Sequence, residues 1–325
     1  MRRKRVKADG GAYYHLVSRC ALQQYLFTDD EKRTFVSMMR RIADFSGVEV
    51  LTYCVMSNHF HILVRVPQPR EVTESELLAR VATLYGDAYA KEMRERWAAF
   101  RKTGQTAFLE KEQEHLRKRM GDISPFMHVL KMRFTLWYRG HHDGHMGTLW
   151  DNRFSSTLVE GGGSLAAVAA YIDLNPVRAG LVTDPKDYHF SGYGAACSGD
   201  ADARKDLSGV YGDTSTPRNQ LMAAYRGLLY AKGAADLDPA VVRKILYSQE
   251  KPSLPLLLRT KIRAFSKGLA IGSKSFAASI FPNHRYAFSE NRRHAPSGTR
   301  LCPDWNGIQL CSVRHLRKNT ILPSA

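Results

Sequence analysis

The stretch Leu51-Thr-Tyr-Cys-Val-Met-Ser-Asn-His-Phe-His-Ile-Leu-Val-Arg-Val66 decides how this chain is read. Apolar and β-branched residues fill both ends, and Met56-Ser57-Asn58 divides them, so residues Val48 to Val66 are expected as two consecutive strands. Alternate residues of a strand project to the same side, which places His59 and His61 together and lets two imidazoles share one metal ion. The same spacing also suits an ordinary pair of strand histidines.

Working outward, Tyr13 to Val17 reads as an earlier strand. Thr28-Asp-Asp-Glu31 has the form of a capping box, and Phe35, Met38, Met39, Ile42 and Phe45 follow at helical spacing. A strand, a helix and two more strands in that order predict an α+β fold with helices packed on an antiparallel sheet. From Glu71 to Met120 the sequence becomes charged and poor in β-branched residues, which predicts a helical insertion. Ser124-Pro125 opens another helix, with Phe126, Leu130, Phe134 and Trp137 as its apolar stripe, and residues 148–159 are expected to be extended. A further helix should start at Ser164 and end at Pro176, because a residue before proline is pushed out of the α region.

Residues 1–195 therefore form the expected main domain and 196–215, rich in Gly, Asp, Ala and Ser, a linker. Residues 216–325 are expected as a helical extension and a possible DNA-binding module, with helices over Pro217 to Lys232, Asp238 to Tyr247 and Arg259 to Ile280. The alternative for the Lys261 to Ile280 region is a simple packing appendage.

The formal charge of +17 over 325 residues favours a polyanionic partner, most economically nucleic acid. No apolar run is long enough to span a bilayer, and the basic Arg2, Arg3, Lys4, Arg5 lead into no apolar segment, so a soluble protein without a secretory signal is expected. The five scattered cysteines include no CxxC, which argues against a zinc ribbon or disulfide framework and for a reducing cytosol.

Tyr171 and Asn175 are four residues apart, one turn from each other on the helix expected to end at Pro176. Two histidines and one carboxamide oxygen, with positions left for water or phosphate, suit a divalent ion acting as Lewis acid on a phosphodiester. Tyr171 would then attack phosphorus and retain the bond energy in a phosphotyrosine, chemistry that suits rejoining strands. A packed core tyrosine and a helix-ending asparagine are the competing readings of the same two residues.

Three motifs in this order carry a family resemblance: Met56-Ser-Asn-His-Phe-His-Ile-Leu-Val64, Gly147-Thr-Leu-Trp-Asp-Asn-Arg-Phe154, and Tyr171-Ile-Asp-Leu-Asn-Pro-Val-Arg-Ala-Gly-Leu-Val182, with Tyr188-His-Phe-Ser-Gly-Tyr193 after them. The chain resembles the single-tyrosine transposases of the HUH endonuclease superfamily, and more closely the REP-associated tyrosine transposases of bacteria. The resemblance implies a ferredoxin-like antiparallel sheet with helices packed on one face. It implies His59, His61 and Asn175 as ligands of Mg²⁺ or Mn²⁺, and Tyr171 as nucleophile. It further implies a bacterial cytoplasmic, nucleoid-associated enzyme that cuts single-stranded or hairpin DNA to a 5′ phosphotyrosine and a free 3′-OH. Monomer and homodimer both occur among such proteins, so oligomeric state does not carry over.

For the DNA contact, Arg2, Arg3, Lys4 and Arg5 suit phosphates. Trp150, Arg153 and Phe154 suit base stacking beside a guanidinium, although the two aromatics can instead cover the core. The insertion interleaves its basic residues with glutamates, as an ordinary solvated helix does. His141, His142 and His145 suit a glycine-rich turn better than a metal site. Two other classes stay open: a noncatalytic hairpin-DNA binder built on the same scaffold, and an RNA-binding protein.

Overall fold

The computed structural model describes residues 5–8, 11–142, 147–211, 217–230, 258, 263–288, 299–302, 308 and 310–313. Strand β1 (Ala12–Arg19) is followed by α1 (Asp29–Ser46) and the hairpin of β2 (Glu49–Val55) and β3 (His59–Val66). Helix α1 begins at the expected capping box, where the Thr28 backbone N–H donates to the Glu31 carboxylate. It ends at Gly47, whose φ of 67° is the left-handed conformation that glycine adopts without a Cβ penalty. After the insertion, α5 (Ile123–His141) leads to β4 (Ser155–Val159). The order β2-β3-β1-β4, with every neighbouring pair antiparallel, is the ferredoxin-like arrangement that the resemblance implied.

Register sorts the side chains of this sheet into two faces. Leu16, Phe60, Ile62 and Val64 point to one and bury against α1 and α5, through Phe35, Met39, Phe126 and Phe134 among others. His15, Val17, His59, His61 and Leu63 point to the other, since His15 pairs with Leu63 and Val17 with His61 across the antiparallel ladder. This second face is also covered. Helix α6 (Gly163–Asp173) packs there with Leu165, Val168 and Ile172, which adds a helical layer beyond the single one expected.

The insertion forms α2 (Glu74–Tyr85), α3 (Asp87–Lys102) and α4 (Thr106–Arg117), with Leu77, Val81, Leu84 and Trp97 buried. Several of its basic residues face acids: Arg96 pairs with Glu92 and Glu112, and Arg101 with Glu74. That pairing favours a solvated helical surface over a phosphate contact.

Three boundaries differ from expectation. The helix carrying Tyr171 stops at Asp173, and α7 (Asn175–Arg178) starts anew with Pro176 in its first turn, so Tyr171 and Asn175 do not share one helix. Proline lacks the N–H that would continue the ladder but fits a first turn. Within 196–215, expected as a linker, α9 (Ala201–Ser208) is capped by Asp200 and buries Ala203 and Leu207, behind the short α8 (Gly192–Cys197). Such i, i+4 burial is hard to see in a segment rich in turn-forming residues.

The third difference concerns the extension. After α10 (Arg218–Leu229), the stretch expected as one helix over Arg259 to Ile280 is α11 (Arg263–Lys267), β5 (Ala270–Gly272) and α12 (Lys274–Asn283). Its residues 259–262, and the helix expected over Asp238 to Tyr247, lie outside the described residues. Strand β5 runs parallel to β4 and antiparallel to β7 (Cys311–Val313), with β6 (Thr299–Arg300) beyond, so among the described residues the extension lengthens the main sheet to seven strands. Ser273 caps α12, its side chain accepting from the Phe276 N–H. Among the described residues, no helix is long and apolar enough to cross a membrane.

Asp173 ties these layers together. Its buried carboxylate accepts hydrogen bonds from Thr52 Oγ1 at 3.0 Å, the Tyr193 backbone N–H at 3.2 Å and Tyr225 Oη at 2.5 Å. Burial nevertheless pushes its pKa up to about 7. The folded state then holds a proton that the unfolded chain releases near pH 4, so this group stabilises most at acid pH and loses that contribution as pH rises towards 7. Buried His15, held down to about 4, acts in the opposite sense, so only the difference between variants isolates Asp173. Relative to wild type, Asp173→Asn is expected to flatten the fall in stability between pH 4 and 7 by on the order of 2–4 kcal/mol. Urea unfolding at both pH values measures this, and identical slopes in the two proteins would rule it out.

Candidate active site

His61 lies near the start of β3 with 3% exposure, and half-buried His59 stands beside it towards the turn, ring centroids 5.1 Å apart. The turn fixes the His59 ring. Asn58 donates its Nδ2 to the Gln23 carbonyl at 3.2 Å, which leaves Oδ1 facing His59 Nδ1 at 2.6 Å. His61 Nδ1 meets Nε2 of a third histidine, His15 on β1, at 2.8 Å. Burial lowers the pKa of His61 well below the usual histidine value, with His15, His59, Arg178 and Arg19 acting in the same direction. Neutral imidazoles are what a metal ligand requires.

Helix α6 brings Tyr171 over this face of the sheet. Its ring centroid is 6.3 Å from those of both His15 and His61, in edge-on contact. The phenyl ring of Phe265 on α11 stacks on the phenol at 4.2 Å and 9°, and the Arg178 guanidinium sits 3.9 Å from the ring centroid. Two groups that close must occupy opposite faces of the ring, which accounts for the 3% exposure of Tyr171. Arg178 also donates to the carbonyls of Tyr171 at 2.7 Å and Leu258 at 2.6 Å.

Asn175 is half-buried, and its Nδ2 is a buried polar atom with no hydrogen-bond partner among the described residues. A half-turn of the carboxamide puts Oδ1 in that place, so the side chain has an uncommitted buried oxygen to offer. Two imidazoles and an amide are donor types that suit a divalent cation whose remaining positions go to phosphate oxygens and water.

On the other side of the sheet, at the same end, lies a basic groove. Trp150 forms an antiparallel bridge with Cys20, the residue after Arg19, and Arg19 itself pairs with His59. The groove encloses about 540 Å³, and Arg5, Lys131, Arg139 and Arg153 are among its lining residues, which include no carboxylate. Burial, with Arg5 close by, lowers Lys131 to about 8, and burial beside Arg153 lowers Arg5 to about 10.

The structure brings Arg5, Trp150, Arg153 and Phe154, four of the residues expected to contact DNA, around this groove. Arg5 and exposed Arg153 line the groove, with the Arg5 guanidinium 3.7 Å over the Phe154 ring. Phe154 is therefore already stacked. Trp150 also lines the groove, but at 9% exposure most of its ring packs on Phe27, Phe60 and Phe134, and its Nε1 donates to Thr135 Oγ1. Arg2, Arg3 and Lys4 lie outside the described residues.

The model of the family described as "Transposase IS200 like" matches residues 10–109. That span carries β1, α1 and the β2–β3 hairpin with both histidines, and it agrees with the resemblance read from Met56 to Val64. It stops short of Tyr171. Seven chains among solved structures match as well. One, described as "Structure of the REP associates tyrosine transposase bound to a REP hairpin", is 12% identical with a TM-score of 0.36, over 61% of this chain and 87% of its own. At that TM-score it adds no argument about the site. No curated protein matches the chain.

Sequence reasoning missed His15, Arg178, Phe265 and Lys131. A histidine inside the apolar run Tyr13 to Val17 was a usable signal for the first. Nothing local marks Phe265, which reaches Tyr171 only through the way the extension docks.

Proposed function

We propose that this transposase-like protein cuts and rejoins single-stranded, hairpin-forming DNA in the bacterial cytoplasm, through a covalent link to Tyr171. The observation that carries this reading is the Tyr171 phenol, on a helix that packs on the histidine-bearing face, lying 6.3 Å from the His61 ring. His59, His61 and Asn175 would hold a divalent cation, Mg²⁺ or Mn²⁺. When bound, it would supply Lewis-acid polarisation of the scissile phosphate.

The phenolic oxygen attacks phosphorus, an Oη–P bond forms and the P–O3′ bond breaks. The phenol loses its proton and the departing 3′ oxygen gains one, so no co-reactant is consumed and the step can reverse. Arg178, stacked over the ring and donating to the Tyr171 carbonyl, would hold the phenol in place for the attack. Tyr171 is almost fully covered, with Phe265 stacked on its ring, so the proposal includes a movement of Phe265 that widens access for DNA.

The basic groove suits the phosphate backbone of the bound DNA. Changing Arg5, Lys131 or Arg153 singly to Gln is expected to weaken binding of a cognate hairpin and to reduce the slope of log K against log salt by about 1 each. Fluorescence anisotropy across a salt series measures both. An unchanged slope in all three variants would remove the groove from the interface.

The burial of Tyr171 beneath Phe265 favours a second reading, a hairpin-DNA binder that does not cut. Metal-dependent cleavage of an oligonucleotide recovered with the wild-type protein excludes it. Competition between matched DNA and RNA hairpins decides the nucleic acid.

A further inference from the structure

His15 belongs to no motif used above, yet it is fully buried and hydrogen-bonded at both ring nitrogens. Its Nδ1 is 2.7 Å from the backbone carbonyl of Phe265, and a carbonyl only accepts, so this nitrogen carries a proton. Both rings are buried, and among the described residues their hydrogen-bond partners are the Phe265 carbonyl and each other, with no carboxylate. A positive imidazolium buried there would be unpaired, which keeps both rings neutral.

A neutral imidazole has one N–H. With the His15 proton committed to the Phe265 carbonyl, its Nε2 is a lone pair and accepts from His61 Nδ1 at 2.8 Å. The His61 proton is then also committed, and its lone pair is forced onto Nε2. His59 reaches the same tautomer by a separate route, donating Nδ1–H to Asn58 Oδ1.

We propose that His15 is a positioning residue for His61: anchored by the Phe265 carbonyl, it locks His61 as the Nδ1–H tautomer with Nε2 bare for a cation. The proposal deepens, and in its purpose rests on, the reading of His59 and His61 as metal ligands. The tautomer itself does not depend on that reading. It also means that the C-terminal extension reaches the histidine pair through a backbone atom, beyond the Phe265 side chain. Partners of this kind orient the ligand ring, and their loss typically weakens metal affinity 10- to 100-fold.

The test uses the full chain with ¹⁵N-labelled histidine, free of metal. Long-range ¹H–¹⁵N correlation should show His61 protonated at Nδ1 and bare at Nε2 in the wild type, and a His61 protonated at Nε2 overturns the proposal. His15→Gln, whose amide oxygen can accept from His61, is expected to keep the tautomer and to bind Mn²⁺, followed by electron paramagnetic resonance, nearly as wild type does. His15→Phe is expected to lose the fixed tautomer and to bind Mn²⁺ 10- to 100-fold more weakly. Equal affinity in all three proteins overturns the positioning role. If His15→Phe does not fold, the wild-type spectrum and the glutamine variant still decide it. Wild-type protein that takes up no Mn²⁺ discards the metal reading on its own, while the metal-free spectrum separately decides the tautomer.

Discussion

Tyr171→Phe is expected to abolish covalent attachment to single-stranded hairpin DNA while leaving binding within a few-fold of wild type. The substitution removes one oxygen. The ring stays between Phe265 and Arg178, whose contacts involve its faces, so packing should be preserved. No hydrogen bond from Tyr171 Oη to another described residue enters the network around it, and the basic groove lies on the other side of the sheet. Loss of the proposed nucleophile removes an entire reaction path, so the expected change in adduct is complete. The measurement is a denaturing gel of 5′- and 3′-labelled oligonucleotide after incubation with Mn²⁺. Retention of label by the phenylalanine variant would sink the assignment. An adduct in neither protein, with intact hairpin binding, would establish the binder that does not cut.

How much of this was legible in the sequence divides along the range of the interactions. The capping box of α1, the strand pair around Met56 to Asn58 and the helical stripe of α5 are written in neighbouring residues, and the structure follows them. The two histidines were legible because alternation along a strand is local geometry. The pairing of Tyr171 with Asn175 on one helix was not, because the break at Leu174 depends on how Pro176 restarts the chain. The aromatic role of Trp150 was ambiguous until packing showed its ring among Phe27, Phe60 and Phe134. The extension was least legible. Its contacts with His15, Thr157 and Tyr171 cross more than ninety residues of chain, and the glycines near β5 read equally as helix ends or as a strand.

Phe265→Ala is expected to separate stability from reactivity at that docking point. The side chain is fully buried, and Phe→Ala truncation in such a place costs about 3–5 kcal/mol. The backbone carbonyl that anchors His15 is retained in alanine, so the His15–His61 chain should survive. What is lost is the ring stacked 4.2 Å over the phenol, together with the work of displacing it before a phosphodiester can reach Tyr171. If half of the lost burial had to be undone in that opening step, the barrier falls by about 1.5–2.5 kcal/mol, and adduct forms at least tenfold faster. The variant should therefore unfold at lower urea and react faster per folded molecule, a combination that simple damage to the site would not give. Phe265→Leu, which keeps most of the apolar volume, should fall between the two on both measures. Slower adduct formation by folded Phe265→Ala would mean that the phenyl ring aligns the nucleophile and does not obstruct it.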